Sequence, residues 1–229
     1  MSDPTSPRKR ARELARAALD RGEPLAWFEE LYREADQGAA IVPWADRIPN
    51  PHLRSWLEAR GIRPGAAPRS RGRALDVGCG LGDNAAHLAA CGFSVVAFDV
   101  STTAVDAARK RFPELPITWC TADACDPPGA WASAFDLVAE TYTLQVLPAQ
   151  ERARAARALG GLVAPGGTLL VIARGRDANE PEGSMPWPLL RTEIEAIGAG
   201  ALELRSVDDF YDDEDPPVRR LRATFIRQG

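Results

Sequence analysis

Ala74-Leu-Asp-Val-Gly-Cys-Gly-Leu-Gly-Asp83, followed by Val95-Val-Ala-Phe-Asp99, is the stretch that decides the fold. Ala74, Leu75 and Val77 form a short apolar run, which enters a turn dense in glycine at Gly78, Gly80 and Gly82. A helical pattern starts at Asp83 and carries Ala85-Ala86 and Leu88-Ala89-Ala90. A second apolar run ends in a carboxylate, Asp99, about twenty residues on. Strand, glycine turn, helix and acid-tipped strand together make the βαβ layout that binds an adenosine-bearing ligand at a strand's carboxyl end. Two details argue against a dinucleotide. The glycine pattern is G-x-G-x-G, with Asp83 in the next place, and Asp76 lies among the last residues of the first strand. Two carboxylates there repel a pyrophosphate resting on the helix N-terminus and favour a cation.

S-adenosylmethionine (SAM) carries an ammonium, a sulfonium and no phosphate, and it meets that requirement. The chain resembles the class I SAM-dependent methyltransferases, with Asp76-Val-Gly-Cys-Gly-Leu-Gly82 as their first motif and Phe98-Asp99-Val100-Ser101 as their second. The resemblance implies that the loop of Gly78, Cys79 and Gly80 approaches the methionyl part of SAM. Asp76 orients that loop and binds the ammonium directly or through water. Asp99 takes the ribose hydroxyls and Val100 flanks the adenine. Asp123, followed by Ala124, takes the adenine amino group; its structural alternative is a helix N-cap.

The formal charge of −4 on 229 residues argues against a nucleic-acid footprint, which needs clustered positive charge. One basic segment, Arg8 to Arg21, alternates with Leu14, Ala17 and Ala18 and reads as an amphipathic surface helix. No apolar run approaches a membrane span, and no apolar core follows the basic residues of the N-terminus, so the expectation is a cytoplasmic protein. Cys79, Cys91, Cys120 and Cys125 have no C-x-x-C spacing and read as buried free thiols. His52 and His87 lack spaced partners, so no metal site is expected.

Around the opening stretch the pattern alternates between strand and helix periods. Strands are expected at residues 73–78, 94–99, 116–121, 135–140 and 167–174, the last opened by Pro165-Gly166-Gly167. Helices are expected at 83–91, 102–111, 149–163 and 190–198. Two final strands, 201–207 and about 217–227, flank the acidic run Asp208 to Asp215, which reads as a solvated loop. The resemblance implies an α/β fold: a Rossmann-like, seven-stranded, mostly parallel sheet with one reversed strand and helices on both faces. Before it come a helix with a frayed start up to about residue 22, helices at 24–36 and around Leu53, Trp56 and Leu57, and a linker from Gly61 to Gly72. Residues 1–72 are therefore an N-terminal helical lid or extension, and residues 73–229 the SAM-binding core.

The N-terminal segment narrows the resemblance. Val42-Pro-Trp-Ala-Asp46 and Pro51-His-Leu53 resemble the Pro-Trp-Asp…Pro-x-Leu segment of thiopurine, thiol and halide methyltransferases. Phe135-Asp-Leu-Val, Tyr142-Thr-Leu-Gln-Val-Leu-Pro148, Leu162-Val-Ala-Pro-Gly-Gly167 and Met185-Pro-Trp-Pro-Leu189 match as well. Ala45 displaces the Asp of Pro-Trp-Asp, and Met185-Pro186-Trp187 stands where the family carries a Gly-Pro-Pro-Phe element, so the acceptor is not specified. The implied acceptor is a small molecule with a thiol, halide or similar soft nucleophile, handled by a monomer or homodimer. The alternatives are O- or N-methylation with Glu140 or His52 as base, or a module that binds SAM without catalysis. Glu140, at the end of the fourth strand, is a general base, a ligand of the SAM amino group, or a plain polar strand end. Tyr142 and Thr143 follow it and are candidates for contact with the acceptor. Trp44 is a lid over cofactor and substrate or a packing residue, and Trp187 a candidate wall. Trp27, Phe28 and Tyr32 read as core.

Overall fold

The computed structural model describes residues 6–65, 71–197, 200 and 202–229. The frayed start and the middle of the linker lie outside the described residues.

The strands are β1 (Arg73–Val77), β2 (Ser94–Asp99), β3 (Ile117–Thr121), β4 (Phe135–Thr141), β5 (Val163–Arg176), β6 (Leu189–Leu190), β7 (Leu202–Tyr211) and β8 (Arg219–Arg227). The helices are α1 (Ser6–Asp20), α2 (Ala26–Asp36), α3 (Pro51–Glu58), α4 (Asp83–Ala90), α5 (Thr102–Arg111), α6 (Ala149–Leu162) and α7 (Arg191–Ala196). The sheet runs β3-β2-β1-β4-β5-β8-β7. β8 alone is antiparallel to its neighbours, and the two-residue β6 adds a short parallel pair at the end of β5. The fold is thus the expected Rossmann-like sheet with one small extra strand. β1 has β2 on one side and β4 on the other, so the chain leaves the sheet in opposite directions there and opens a crevice at the strands' carboxyl ends.

Strands buried on both faces have near-continuous apolar sequence. Leu75, Val77, Val138 and Val171 face one cluster, closed by Leu159 of α6 and Ile194 of α7. Ala74, Ala139 and Leu170 face the other, closed by Leu88 of α4 and by Leu53, Trp56 and Leu57 of α3. α3 starts at Asn50, whose side chain accepts from the His52 and Leu53 N–H groups (2.9 and 3.2 Å). Trp56 Nε1–H donates to Thr224 Oγ1 of β8 at 2.9 Å within the buried interior. α3 is therefore packed onto the sheet, whereas α1 and α2 build a separate cluster around Trp27, Leu31 and Tyr32.

Two boundaries differ from the sequence expectation. β5 begins at Val163, because Val163 pairs with Phe135 of β4 before a register irregularity absorbs Pro165-Gly166-Gly167. β7 continues through Asp208 and Asp209, so half of the acidic run is strand and not loop. Cross-strand arginines make that possible: Arg222 reaches Asp208 at 2.9 Å and Arg219 reaches Asp209 at 2.7 Å. Cys79 and Cys91 are buried free thiols, while Cys120 and Cys125 are only half-buried. Among the described residues no helix is long and apolar enough to cross a membrane, and no cluster of metal-ligating side chains forms.

Candidate functional site

A cleft of about 980 Å³ lies across the carboxyl ends of the strands, from β3 to the β7–β8 turn. Gly78, Cys79, Gly80, Asp99, Val100, Asp123 and Ala124 line it on the side of β1, β2 and β3. Trp44 and Tyr142 line it as well, so nine of the eleven residues expected at the site share one cavity. Asp76 and Glu140 are the exceptions: both are fully buried and neither belongs to the cavity wall.

The glycine turn is shaped by what lies against it. Gly78 has φ +62°, and a Cβ there would collide with the Thr143 hydroxyl; Gly80 has φ +51°, and a Cβ there would sit 2.8 Å from the Tyr32 hydroxyl. Asp99 holds the turn from the next strand. Its Oδ2 accepts from Gly80 N–H and its Oδ1 from Ser101 N–H, both at 2.9 Å. Burial raises the Asp99 pKa against those two hydrogen bonds. Asp123 closes a tight turn of its own by accepting from Cys125 N–H at 2.7 Å, and does not cap a helix.

Asp76 has no well-formed hydrogen bond to either carboxyl oxygen. Burial pushes its pKa up to about 8, and the poorly aligned Ala85 amide lowers it by less. Asp83 forms a bidentate pair with Arg111, two contacts of 2.8 Å. The repulsion of a pyrophosphate inferred from these two residues is thus weaker than sequence suggests: one carboxyl is buried and poorly ionised, the other neutralised. The cradle itself fits an adenosyl ligand. Glycine backbone lies open to the cleft, carboxylates stand at the tips of β2 and β3, and Phe98, Val100, Ala124 and Leu147 supply apolar wall.

Glu140 turns inward. Its Oε1 accepts from Thr143 N–H (2.6 Å) and Leu144 N–H (2.9 Å), while Oε2 has no partner among the described residues. Burial raises its pKa to about 7. It holds a strained turn, in which Tyr142 adopts φ +68° and donates its N–H to Ile172 O at 2.9 Å. Of the three readings of Glu140, its burial behind the wall runs against a base facing the methyl group and against direct contact with the SAM amino group. Its two hydrogen bonds agree with a polar strand end that fixes the following turn.

The far end of the cleft was not legible beforehand. Arg220 is buried, lies 4.8 Å from the Tyr142 ring centroid and pairs with Asp212 at 2.5 Å and with Glu214. His52 Nε2 stands 3.8 Å from Asp212 Oδ2, and its pKa is lowered by burial first and by Arg220 next, so the ring is neutral at neutral pH. Arg174 and Phe210 complete that end. Arg174 follows the apolar run Leu169–Ala173 of β5, which is a sequence signal, whereas Arg220 is one of four arginines in β8 and nothing in the sequence singles it out.

The roof comes from the N-terminal segment. Trp44 Nε1–H donates to the Tyr32 hydroxyl at 3.1 Å, and its ring packs edge-on against Trp27, Phe28 and Tyr32. Phe28 and Tyr32 line the cavity, which corrects their reading as core alone; Trp27 is core, and Pro186 lines the cavity in place of Trp187. Glu29 ties this roof to α5. It accepts from Ser101 Oγ–H (2.7 Å), Thr103 Oγ1–H (2.6 Å) and Thr103 N–H (3.1 Å), two residues beyond Asp99.

A family model described as a methyltransferase domain matches residues 74–167. A 2-heptyl-1-hydroxyquinolin-4(1H)-one methyltransferase of Mycobacteroides abscessus is 27% identical over 174 residues, 74% of this chain and 73% of that protein. A probable thiol methyltransferase of Arabidopsis thaliana is 29% identical over 179 residues, 74% of this chain and 75% of that protein. The N-methyltransferase NodS of Bradyrhizobium japonicum, solved with S-adenosylhomocysteine (SAH), superimposes with a TM-score of 0.64 at 20% identity, covering 88% of this chain and all of that one (100%). That superposition shows the shared fold.

Proposed function

Starting from a chain that is a SAM-dependent methyltransferase on the class I Rossmann-like fold, we propose that it methylates a small molecule whose nucleophile is soft or already ionised, a thiolate first among them. Gly78, Cys79, Gly80, Asp99, Val100, Asp123 and Ala124 would hold the donor, with Asp76 and Glu140 fixing the loops around it. When bound, SAM supplies an electrophilic methyl on a sulfonium. The protein then needs to position the acceptor and keep water out. Trp44 as roof and Tyr142 as wall serve those two needs. In this reading α1, α2 and the loop to Asn50 are the lid, and α3 belongs with the core.

The state of the carboxylates carries the choice of nucleophile. Asp83, Asp99, Asp123, Asp212 and Glu214 line the cleft, and each is already engaged by an arginine or a backbone amide, while Asp46 and Asp213 line it as exposed carboxylates with no such partner among the described residues. None of the five engaged carboxylates stands ready to take a proton, and the two exposed ones are open to solvent. A thiolate needs no such base, and the similarity to the Arabidopsis protein supports it. A hydroxyl acceptor is the second reading, favoured by one observation: His52 lines the cleft, half-buried, and burial lowers its pKa. The test is a panel of aromatic and aliphatic thiols, N-hydroxy heteroaromatics, phenols and amines, with SAH formation as readout. Turnover of thiols, unaffected by His52→Gln, is the expected result. Turnover confined to hydroxyl acceptors, and lost in His52→Gln, overturns the first reading in favour of the second.

A further inference from the structure

Arg174 stands at the carboxyl end of β5, where its backbone N–H donates to Gln145 Oε1 at 2.6 Å and so fixes the strand tip. Its side chain is half-buried and lines the cleft beside Arg220 and Tyr142. No hydrogen bond or ion pair reaches its guanidinium among the described residues. Of the other arginines at or near the cleft, Arg8 and Arg47 are also without a hydrogen bond or ion pair among the described residues but are exposed, and the rest are paired. Arg12 donates to Met185 O, Arg111 pairs with Asp83, Arg176 donates to Pro188 O, and Arg220 pairs with Asp212 and Glu214. Burial and the repulsion of Arg220 and Arg8 work against the charge on Arg174, with Glu214 and Tyr142 opposing them only in part.

A guanidinium carries five donors in a planar fork, and leaving them unmet in a half-buried site is costly. Natural partners for that fork are planar oxyanions, taken two-pronged. Phe28, Trp44, Tyr142 and Phe210 line the same cavity and suit an aromatic body. We propose that Arg174 anchors a carboxylate of the methyl acceptor, so that the preferred substrates of this enzyme are aromatic acids. This rests on the assignment of the cleft as the acceptor site and narrows its substrate class.

Two probes differing only in charge test it: 2-mercaptobenzoate and 2-mercaptobenzamide, titrated calorimetrically into SAH-loaded protein. The wild type should bind the acid at least about tenfold more tightly than the amide. In Arg174→Gln that preference should fall to about twofold or less, and Arg174→Lys, which keeps charge without the fork, should restore part of it. The surface variant Arg157→Gln should keep the full preference. SAH affinity and melting temperature show whether each variant is folded; if Arg174→Gln is not, Arg174→Lys carries the comparison, and an undiminished preference there counts against the fork. A wild type that does not distinguish the probes, or a preference that survives in Arg174→Gln, overturns the proposal. Turnover separates it from the choice of nucleophile. Preferential binding of the acid without methylation leaves Arg174 standing and refutes the thiol acceptor. Equal binding and equal methylation of acid and amide do the reverse.

Discussion

Asp76→Asn should stabilise this protein increasingly as the pH rises. The Asp76 carboxyl is fully buried, has no well-formed hydrogen bond, and titrates at about 8 instead of its ordinary 3.8. Between those two values the folded chain keeps a proton that the unfolded chain has released. Unfolding is then favoured progressively as pH rises through that window, because stability falls wherever the native state binds more protons. About 4 pH units at ~1.4 kcal/mol each set an upper limit near 6 kcal/mol. Local relaxation and water entry on ionisation reduce this, and a relative gain of about 2–4 kcal/mol for the asparagine is expected between pH 5 and 9. Asparagine has the shape of the protonated acid, so the two proteins should be closest in stability at or below about pH 4, where the folded and unfolded wild-type chains both keep the proton. Glu140, raised to about 7, bends the curves of both proteins alike and cancels in the difference. The assay is urea unfolding of ligand-free protein across this range, comparing midpoints at constant slope. A difference between the two proteins that does not change with pH would refute the account, since Asp76 would then be ionised in the native state.

Asp99→Ala should weaken SAM binding by about 1–3 kcal/mol in calorimetry, and an unchanged affinity would remove Asp99 from the cofactor site. Trp44→Ala loses one hydrogen bond and a partly exposed ring, so stability should fall by about 1–2 kcal/mol while turnover falls far more. Full turnover in a protein that melts early would make Trp44 a packing residue. Glu29→Gln turns an acceptor of three hydrogen bonds into a mismatched one. It should cost about 1–2 kcal/mol of stability and speed proteolysis of residues 21–50 in the SAH complex; identical cleavage rates would show that Glu29 does not hold the roof down.

The side of the cleft built by β1, β2 and β3 was readable because its signals are local. The glycines between Gly78 and Gly82 mark a tight turn, Asp99 marks a strand tip and Asp123 the turn just past one, whatever the rest of the chain does. Val42-Pro43-Trp44 was visible in the same way, although its partner Tyr32 read as core, since a buried aromatic and a cavity wall have one sequence signature. Glu140 shows the limit of position as evidence. Its place at the tip of β4 suggested a group facing the reaction, but the strained turn at Tyr142 brings the amides of Thr143 and Leu144 back onto its carboxylate. The direction of a side chain at a strand tip depends on the turn after it.

Strand periods and the βαβ turn, which follow from side-chain alternation and backbone conformation within a few residues, decided that this chain is a Rossmann-like methyltransferase fold. Pairing between distant segments decided the other end of the cleft. Only when β8 inserts between β5 and β7 do Arg174, Arg220 and Asp212 meet His52 and Tyr142, across separations of up to about 170 residues. Charge in the acidic run is likewise neutralised by arginines of the neighbouring strand, not by its own neighbours in sequence. Ion pairs and cavity walls of this kind are products of sheet order, and sheet order is fixed by burial of both sheet faces at once, which no local pattern encodes.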